Sequence, residues 1–161
     1  MELNKKNNNI SFIEVKIGKS VSSIKRNPFY NCPQLSQIII DPENEYFQMF
    51  DGVLMDSKQT TLYTYLSTNT NETYTIPETV TTIQRHVFSH QSYLKEIIIP
   101  NSVIDIDEEA FIKMQHLTTL KFKGTKEPKC LPLEFSNEIP KIYVSKNYGN
   151  NTFCSISVIK Q

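Results

Sequence analysis

Three histidines, three cysteines and a short run of carboxylates are the side chains of this 161-residue chain best suited to chemistry. His86 and His90 stand four apart, a spacing that presents two imidazoles to one metal ion if the segment turns as a helix. Between them lie Val87, Phe88 and Ser89; no Glu follows His86 as a zinc-protease pattern requires, and Phe88 reads as core. His116 follows Tyr93 by 23 positions and neither of the other histidines, so ordinary surface histidines are the expectation. Asp105, Asp107, Glu108 and Glu109 form an acidic cluster that lacks the Gly and terminal Glu of an EF-hand loop. Stabilising the start of a short helix is the simpler role for it. Cys130 and Cys154 share the end of the chain while Cys32 lies far away, and three thiols read most simply as reduced. A Cys130–Cys154 bridge is the alternative if the chain meets an oxidising compartment. Gly-x-Ser-x-Gly, phosphate-loop and Rossmann patterns are missing, and only four glycines exist to build such loops. No catalytic residue, metal ligand or cofactor is expected, and the chain reads as a non-enzyme.

The elements that would carry these groups repeat. Ile76, Pro77, Val80, Ile83, Phe88, Leu94, Ile97 and Ile99 reappear 23 positions later as Ile99, Pro100, Val103, Ile106, Phe111, Leu117, Leu120 and Phe122. The apolar positions occur again 59 residues before the first set, as Ile17, Val21, Ile24, Phe29, Leu35, Ile38 and Ile40. A fixed period in the twenties marks a solenoid, because one unit cannot bury its apolar face without a neighbour. The spacing places an interruption of about one and a half extra units between Ile40 and Ile76. Half-units at Phe12, Val15, Ile17 and at Ile139, Ile142, Val144 mark the ends. Short strands are predicted near residues 12–17, 35–40, 73–77, 94–100, 117–123 and 139–144, with Pro100 ending one of them for want of an amide donor. Residues 107–113, acidic first and lysine last, predict one or two helical turns, and residues 25–28 a frayed or 3₁₀ turn.

The pattern Ile-Pro-x-x-Val-x-x-Ile-x-x-x-x-Phe-x-x-x-x-x-Leu-x-x-Ile-x-Ile resembles the BspA-like type of leucine-rich repeat. The segment from Asp51-Gly52-Val53-Leu54 to Thr60-Thr61-Leu62-Tyr63-Thr64-Tyr65 is similar to the hairpin that interrupts many arrays of that family. The tail, with Ile142-Tyr143-Val144, Tyr148-Gly149 and Phe153-Cys154, is similar to its closing segment. The resemblance implies an α/β solenoid, mainly β: a leucine-rich repeat right-handed superhelix of short parallel strands with short helical turns and one inserted β-hairpin. A single domain over residues 1–161 is expected. Its parts are an N-terminal cap and first repeat (10–40), the hairpin insert (41–75), two regular 23-residue repeats (76–123) and a closing segment (124–161).

Composition fits a soluble domain, with 39% apolar and 21% charged residues and no net charge. No apolar run approaches the ~20 residues that span a bilayer, so membrane insertion is not expected. Lysines near the start have no apolar stretch behind them, and no signal peptide is expected. A cytoplasmic location follows by default, a cell-surface one from the resemblance. Residues 1–26 hold six bases against two acids and residues 121–161 seven against three, leaving the middle acidic. The lysines are not interleaved with aromatics on one face, so nucleic-acid binding is not expected. Strand positions that alternate with the core form a column, Lys16, Ile39, Thr75, Ile98, Lys121 and Tyr143, on the outer sheet surface. Isoleucines and a tyrosine outside a core suggest a contact site for a protein or cell-surface ligand, and adhesion is the use the resemblance implies. Self-association into a structural scaffold is the alternative.

Overall fold

The computed structural model describes residues 13–25 and 27–161. Phe12, expected in the first rung, lies outside them. In chain order the strands are β1 (Glu14–Ile17), β2 (Gln37–Ile40), β3 (Phe47–Phe50), β4 (Val53–Asp56) and β5 (Thr61–Tyr65). Next come β6 (Thr73–Thr75), β7 (Thr82–Ile83), β8 (Glu96–Ile99), β9 (Asp105–Ile106) and β10 (Thr119–Phe122). The chain closes with β11 (Lys129–Cys130), β12 (Lys141–Val144), β13 (Thr152–Phe153) and β14 (Ile156–Lys160).

Each regular coil runs from a strand of three or four residues through a proline turn to a two-residue strand, then back along a chain of turns. The longer strand of each coil stacks, together with β13, in one sheet (the long-strand sheet), ordered β13-β14-β12-β10-β8-β6, and the two-residue strands stack with β3, β4 and β5 in a second (the short-strand sheet), ordered β11-β9-β7-β5-β4-β3. The 23-residue period is visible as register: Tyr74 pairs with Ile97, Ile97 with Leu120, and Ile83 with Ile106, all in parallel strands. Alternation along each strand sends Ile97, Ile99, Leu120, Phe122, Ile142 and Val144 inward, where each is at most 3% exposed. A Leu or Ile so buried contributes roughly 1.5–3 kcal/mol, and a neighbouring coil is what supplies the burial. Ile139, expected to close this ladder, is instead 63% exposed.

The expected helical turns do not form; among the described residues the fold is all β. His86, His90 and Lys113 have φ of 61°, 64° and 60°, and a left-handed residue every few positions prevents a right-handed helix from propagating. The amides are satisfied sideways: those of His86, Phe88 and His90 donate to the carbonyls of Glu109, Ala110 and Lys113 in the next coil. The turn chain is therefore laddered between coils much as the strands are.

The insert is larger than a hairpin and smaller than one and a half units. β3, β4 and β5 form an antiparallel meander, and β5 then pairs in parallel with β7. A single coil has been lengthened, so that 36 positions separate Ile40 from Ile76 where 23 suffice elsewhere. The β3–β4 turn uses Asp51 and Gly52, at φ 48° and 75°, the geometry a two-residue hairpin requires. A Cβ at Gly52 would come 2.7 Å from the Asn69 amide nitrogen.

β4 is a wall between two cores. Val53 and Met55 belong to the large core and Leu54 to a smaller one with Ile17, Leu35, Ile38, Phe47 and Leu66. Consistent with this wall, β1 and β2 form a separate two-stranded sheet. Asn27, 6% exposed, ties the small-core side to the rest: its Nδ2 donates to the His86 carbonyl at 3.0 Å and its Oδ1 accepts from the Phe29 amide at 2.9 Å. Asn27→Ala is expected to cost about 1–3 kcal/mol by leaving both groups unpartnered. Urea titration should show the loss, and an unchanged midpoint would mean water replaces the amide at no cost.

Candidate interaction face

The outer side of the long-strand sheet is built from residues that alternate with the core. Thr75, Ile98, Lys121 and Tyr143 are direct cross-strand partners, in that order. Lys16 and Ile39 also pair with each other, but in the separate β1–β2 sheet, so the six expected positions fall into a group of four and a group of two. Ile98 and Tyr143 are half-buried by their neighbours. Sequence reasoning missed the fifth member of the larger group, Ile159, which pairs with Tyr143 and is 43% exposed. β14 follows β12 with Ile142 opposite Val158, 16 positions on, and a 23-residue period cannot find it. The Ile156, Val158 alternation is the signal that was there to read.

A second column, Thr73, Glu96, Thr119 and Lys141, runs beside the first. Lys121 Nζ lies 2.7 Å from Glu96 Oε2, a diagonal ion pair across β8 and β10. It cancels the charge at the centre of the face, and Lys141 remains at one edge. The array therefore sets Ile98, Tyr143 and Ile159 among polar and charged neighbours, with Lys121 between Ile98 and Tyr143.

The side chains able to do chemistry sit elsewhere, on the turn chain. His86 Nε2 lies 3.0 Å from Glu109 Oε2, and Arg85 engages the same carboxylate. Tyr30, from the first unit, stacks on the His86 ring at 4.1 Å, and the Lys113 ammonium stands 4.9 Å from the Tyr30 ring centre. Burial pushes the pKa of both His86 and His90 down, and Lys113 pushes the same way at each. At His86, Arg85 also lowers it, while the Glu109 and Asp107 carboxylates oppose. Asp107 itself caps the turn, accepting from the Glu109 amide at 3.1 Å.

The acid dependence of stability follows from these shifts. Below about pH 6.5, the ordinary imidazole value, the unfolded chain takes up protons that the folded chain resists. Stability is therefore fully present above that pH and lost as pH falls through it toward the depressed folded values. Urea midpoints should drop between about pH 7.5 and about pH 5.5, and converting both histidines to Asn should flatten the change. Asn also accepts the left-handed backbone there. An equal drop in that double variant would place the titration on other groups.

Cys130 and Cys154 are disulfide-bonded, contrary to the reading of three reduced thiols, and Cys32 is free. Their pairing continues a column of the short-strand sheet, in which Leu62 pairs with Ile83, Ile83 with Ile106 and Ile106 with Cys130. The bridge is the covalent last step of that column.

Comparison with known proteins agrees with this architecture. The chain matches the model of the BspA type leucine-rich repeat region, in six copies, over residues 6–52 and 58–160. Its structure is similar to that of a leucine-rich repeat protein from Eubacterium ventriosum, at 24% identity and a TM-score of 0.62, over 83% of this chain and 42% of the other. A leucine rich cell surface protein from Faecalibacterium prausnitzii is similar at 24% identity and a TM-score of 0.63, over 84% and 42%. The pneumococcal vaccine antigen PcpA is similar at 19% identity and a TM-score of 0.54, over 86% and 47%. Likeness at this level of identity establishes the fold alone, and the chain spans less than half of each of these proteins. A search of the curated proteins finds no match. With the repeat model covering nearly its whole length, this chain belongs to the BspA-type leucine-rich repeat family.

Proposed function

We propose that the chain is a non-catalytic interaction module that binds a protein or cell-surface ligand on the outer face of its long-strand sheet. The observation that carries the reading is the cross-strand column Thr75, Ile98, Lys121, Tyr143 and Ile159 over five adjacent strands, three of whose members, Ile98, Tyr143 and Ile159, are aliphatic or aromatic side chains outside the core. Aromatic and aliphatic anchors set among polar neighbours are what concentrates binding energy at interfaces. Lys16 and Ile39 extend the proposal to the neighbouring two-stranded sheet. Use of this face in adhesion rests on the likeness to a bacterial cell surface protein.

Ile98→Thr with Tyr143→Thr keeps β propensity and removes two of the three apolar members of the column. The pair is expected to change folding stability by at most about 1 kcal/mol. It should reduce recovery of whatever the intact chain captures from cell-surface extracts by tenfold or more, equivalent to about 1.4 kcal/mol. Equal capture by the variant would remove this face from the interaction. Light scattering that showed concentration-dependent association, lost in the same variant, would assign the face to self-assembly.

A further inference from the structure

The closing coil holds a group of side chains that the interaction face does not use. Glu127 precedes Cys130 by three positions, and its carboxylate accepts hydrogen bonds from the Cys154 amide and from Asn150 Nδ2, the latter at 2.9 Å. One Glu127 oxygen and the two sulfurs all lie within 4.8 Å of one another, the only such set of three His, Cys, Asp or Glu ligands among the described residues. Cys154 and Ser155, at φ 47° and 72°, form the two-residue turn between the antiparallel strands β13 and β14.

We propose that, once the disulfide is reduced, Cys130, Cys154 and Glu127 form a site for one zinc-like divalent ion, with a water molecule in the fourth position. Reduction by a small dithiol moves two electrons and two protons to the cysteines, giving two thiols and the cyclic disulfide of the reductant. The incoming ion then displaces both thiol protons to solvent and is held by two thiolates and a carboxylate, a donor set suited to a borderline-soft tetrahedral cation. Asn150 Nδ2 and the Cys154 amide fix the carboxylate from behind, as outer-shell partners of metal ligands do. An open depression of about 230 Å³ touches the site at Cys130 alone and is lined by Asp105, Asp107, Glu108 and Lys129. Disulfide and ion link the same two coils. The pair is thus a staple in an oxidising compartment and a metal clamp in a reducing one, where neighbouring cysteines more commonly serve metals.

The test uses the full chain, reduced with a dithiol, freed of reductant by gel filtration under nitrogen, and titrated with Co²⁺ as a spectroscopic probe. The reduced protein should develop a cobalt–thiolate charge-transfer band that saturates at one equivalent and is abolished by Zn²⁺, while the oxidised protein should show none. Cys130→Ser and Cys154→Ser should each abolish the band, Glu127→Gln should weaken Co²⁺ binding by tenfold or more, and Cys32→Ser should leave it unchanged. Zn²⁺ should also restore the thermal midpoint lost on reduction. If a cysteine variant fails to fold, the comparison of reduced with oxidised wild type and the Glu127→Gln shift decide the question. A reduced protein without the band, or a band retained in Cys154→Ser, would overturn the assignment.

Discussion

Phe111→Ala is expected to lower stability by about 3–5 kcal/mol, the range for removing a fully buried aromatic ring that its surroundings cannot replace. Phe111 is the middle of a stack, with the Phe88 ring at 5.6 Å and 4° on one side and the Phe135 ring at 6.3 Å and 11° on the other. Tyr65 and Tyr74 close the far side of Phe88. Each ring is anchored in its own coil by inter-coil hydrogen bonds such as that from the Phe88 amide to the Ala110 carbonyl. Collapse into the gap would require a whole coil to shift against its neighbours, so most of the cavity remains and its cost is added to the lost transfer free energy. Phe135, only half-buried at the end of the stack, should cost clearly less when truncated, because a terminal ring loses contacts on one face alone. Urea denaturation of the two variants side by side decides the matter. Equal losses, or a loss at Phe111 below about 1 kcal/mol, would show that the rings are separate contacts and not a shared spine.

The same stack shows what was legible from residues alone. Phe88 and Phe111 could be aligned because identical coils place identical side chains at one height, and the same logic located Ile97, Leu120 and Ile142 in register. Features that break the period were hidden. Val53, Leu54 and Met55 form a continuous apolar run, and nothing in that run says that alternate residues face different cores. The charge order of residues 107–113 favours a helix, yet the left-handed backbone at Lys113 and the pull of carbonyls in the adjacent coil win, because those partners exist only once coils are stacked. For the candidate face, four of the six positions named from alternation are consecutive partners. The separation of Lys16 and Ile39 follows from the wall at β4, a tertiary fact.

Opening the Cys130–Cys154 bridge, in the presence of a chelator, is expected to cost about 2–4 kcal/mol, second only to loss of the central ring. The bridge closes a loop of sequence separation 24 that contains β12 and β13. In the chain-entropy view, a loop of that length restricts the unfolded ensemble by on the order of 3 kcal/mol, and the folded coil is already in the geometry the bond requires. The bridge ties the turn after β13 to β11, the outermost strand of its sheet. Tyr148 and Phe153, at 2% and 0% exposure, pack there against Phe122, and the Tyr148 hydroxyl, pushed up to about 12 chiefly by burial, donates to the Thr152 carbonyl. These contacts can hold a reduced coil in place, but they no longer benefit from a constrained unfolded state, so the loss should appear as faster fraying of β12–β14. Cys154→Ser and reduced wild type should lose similar stability by urea titration, and hydrogen exchange should rise first at Ile142 and Val158. Cys32→Ala lies in the other core and should leave that exchange untouched. A bridge whose removal changed stability by less than about 0.5 kcal/mol would mean that the aromatic packing alone closes the stack.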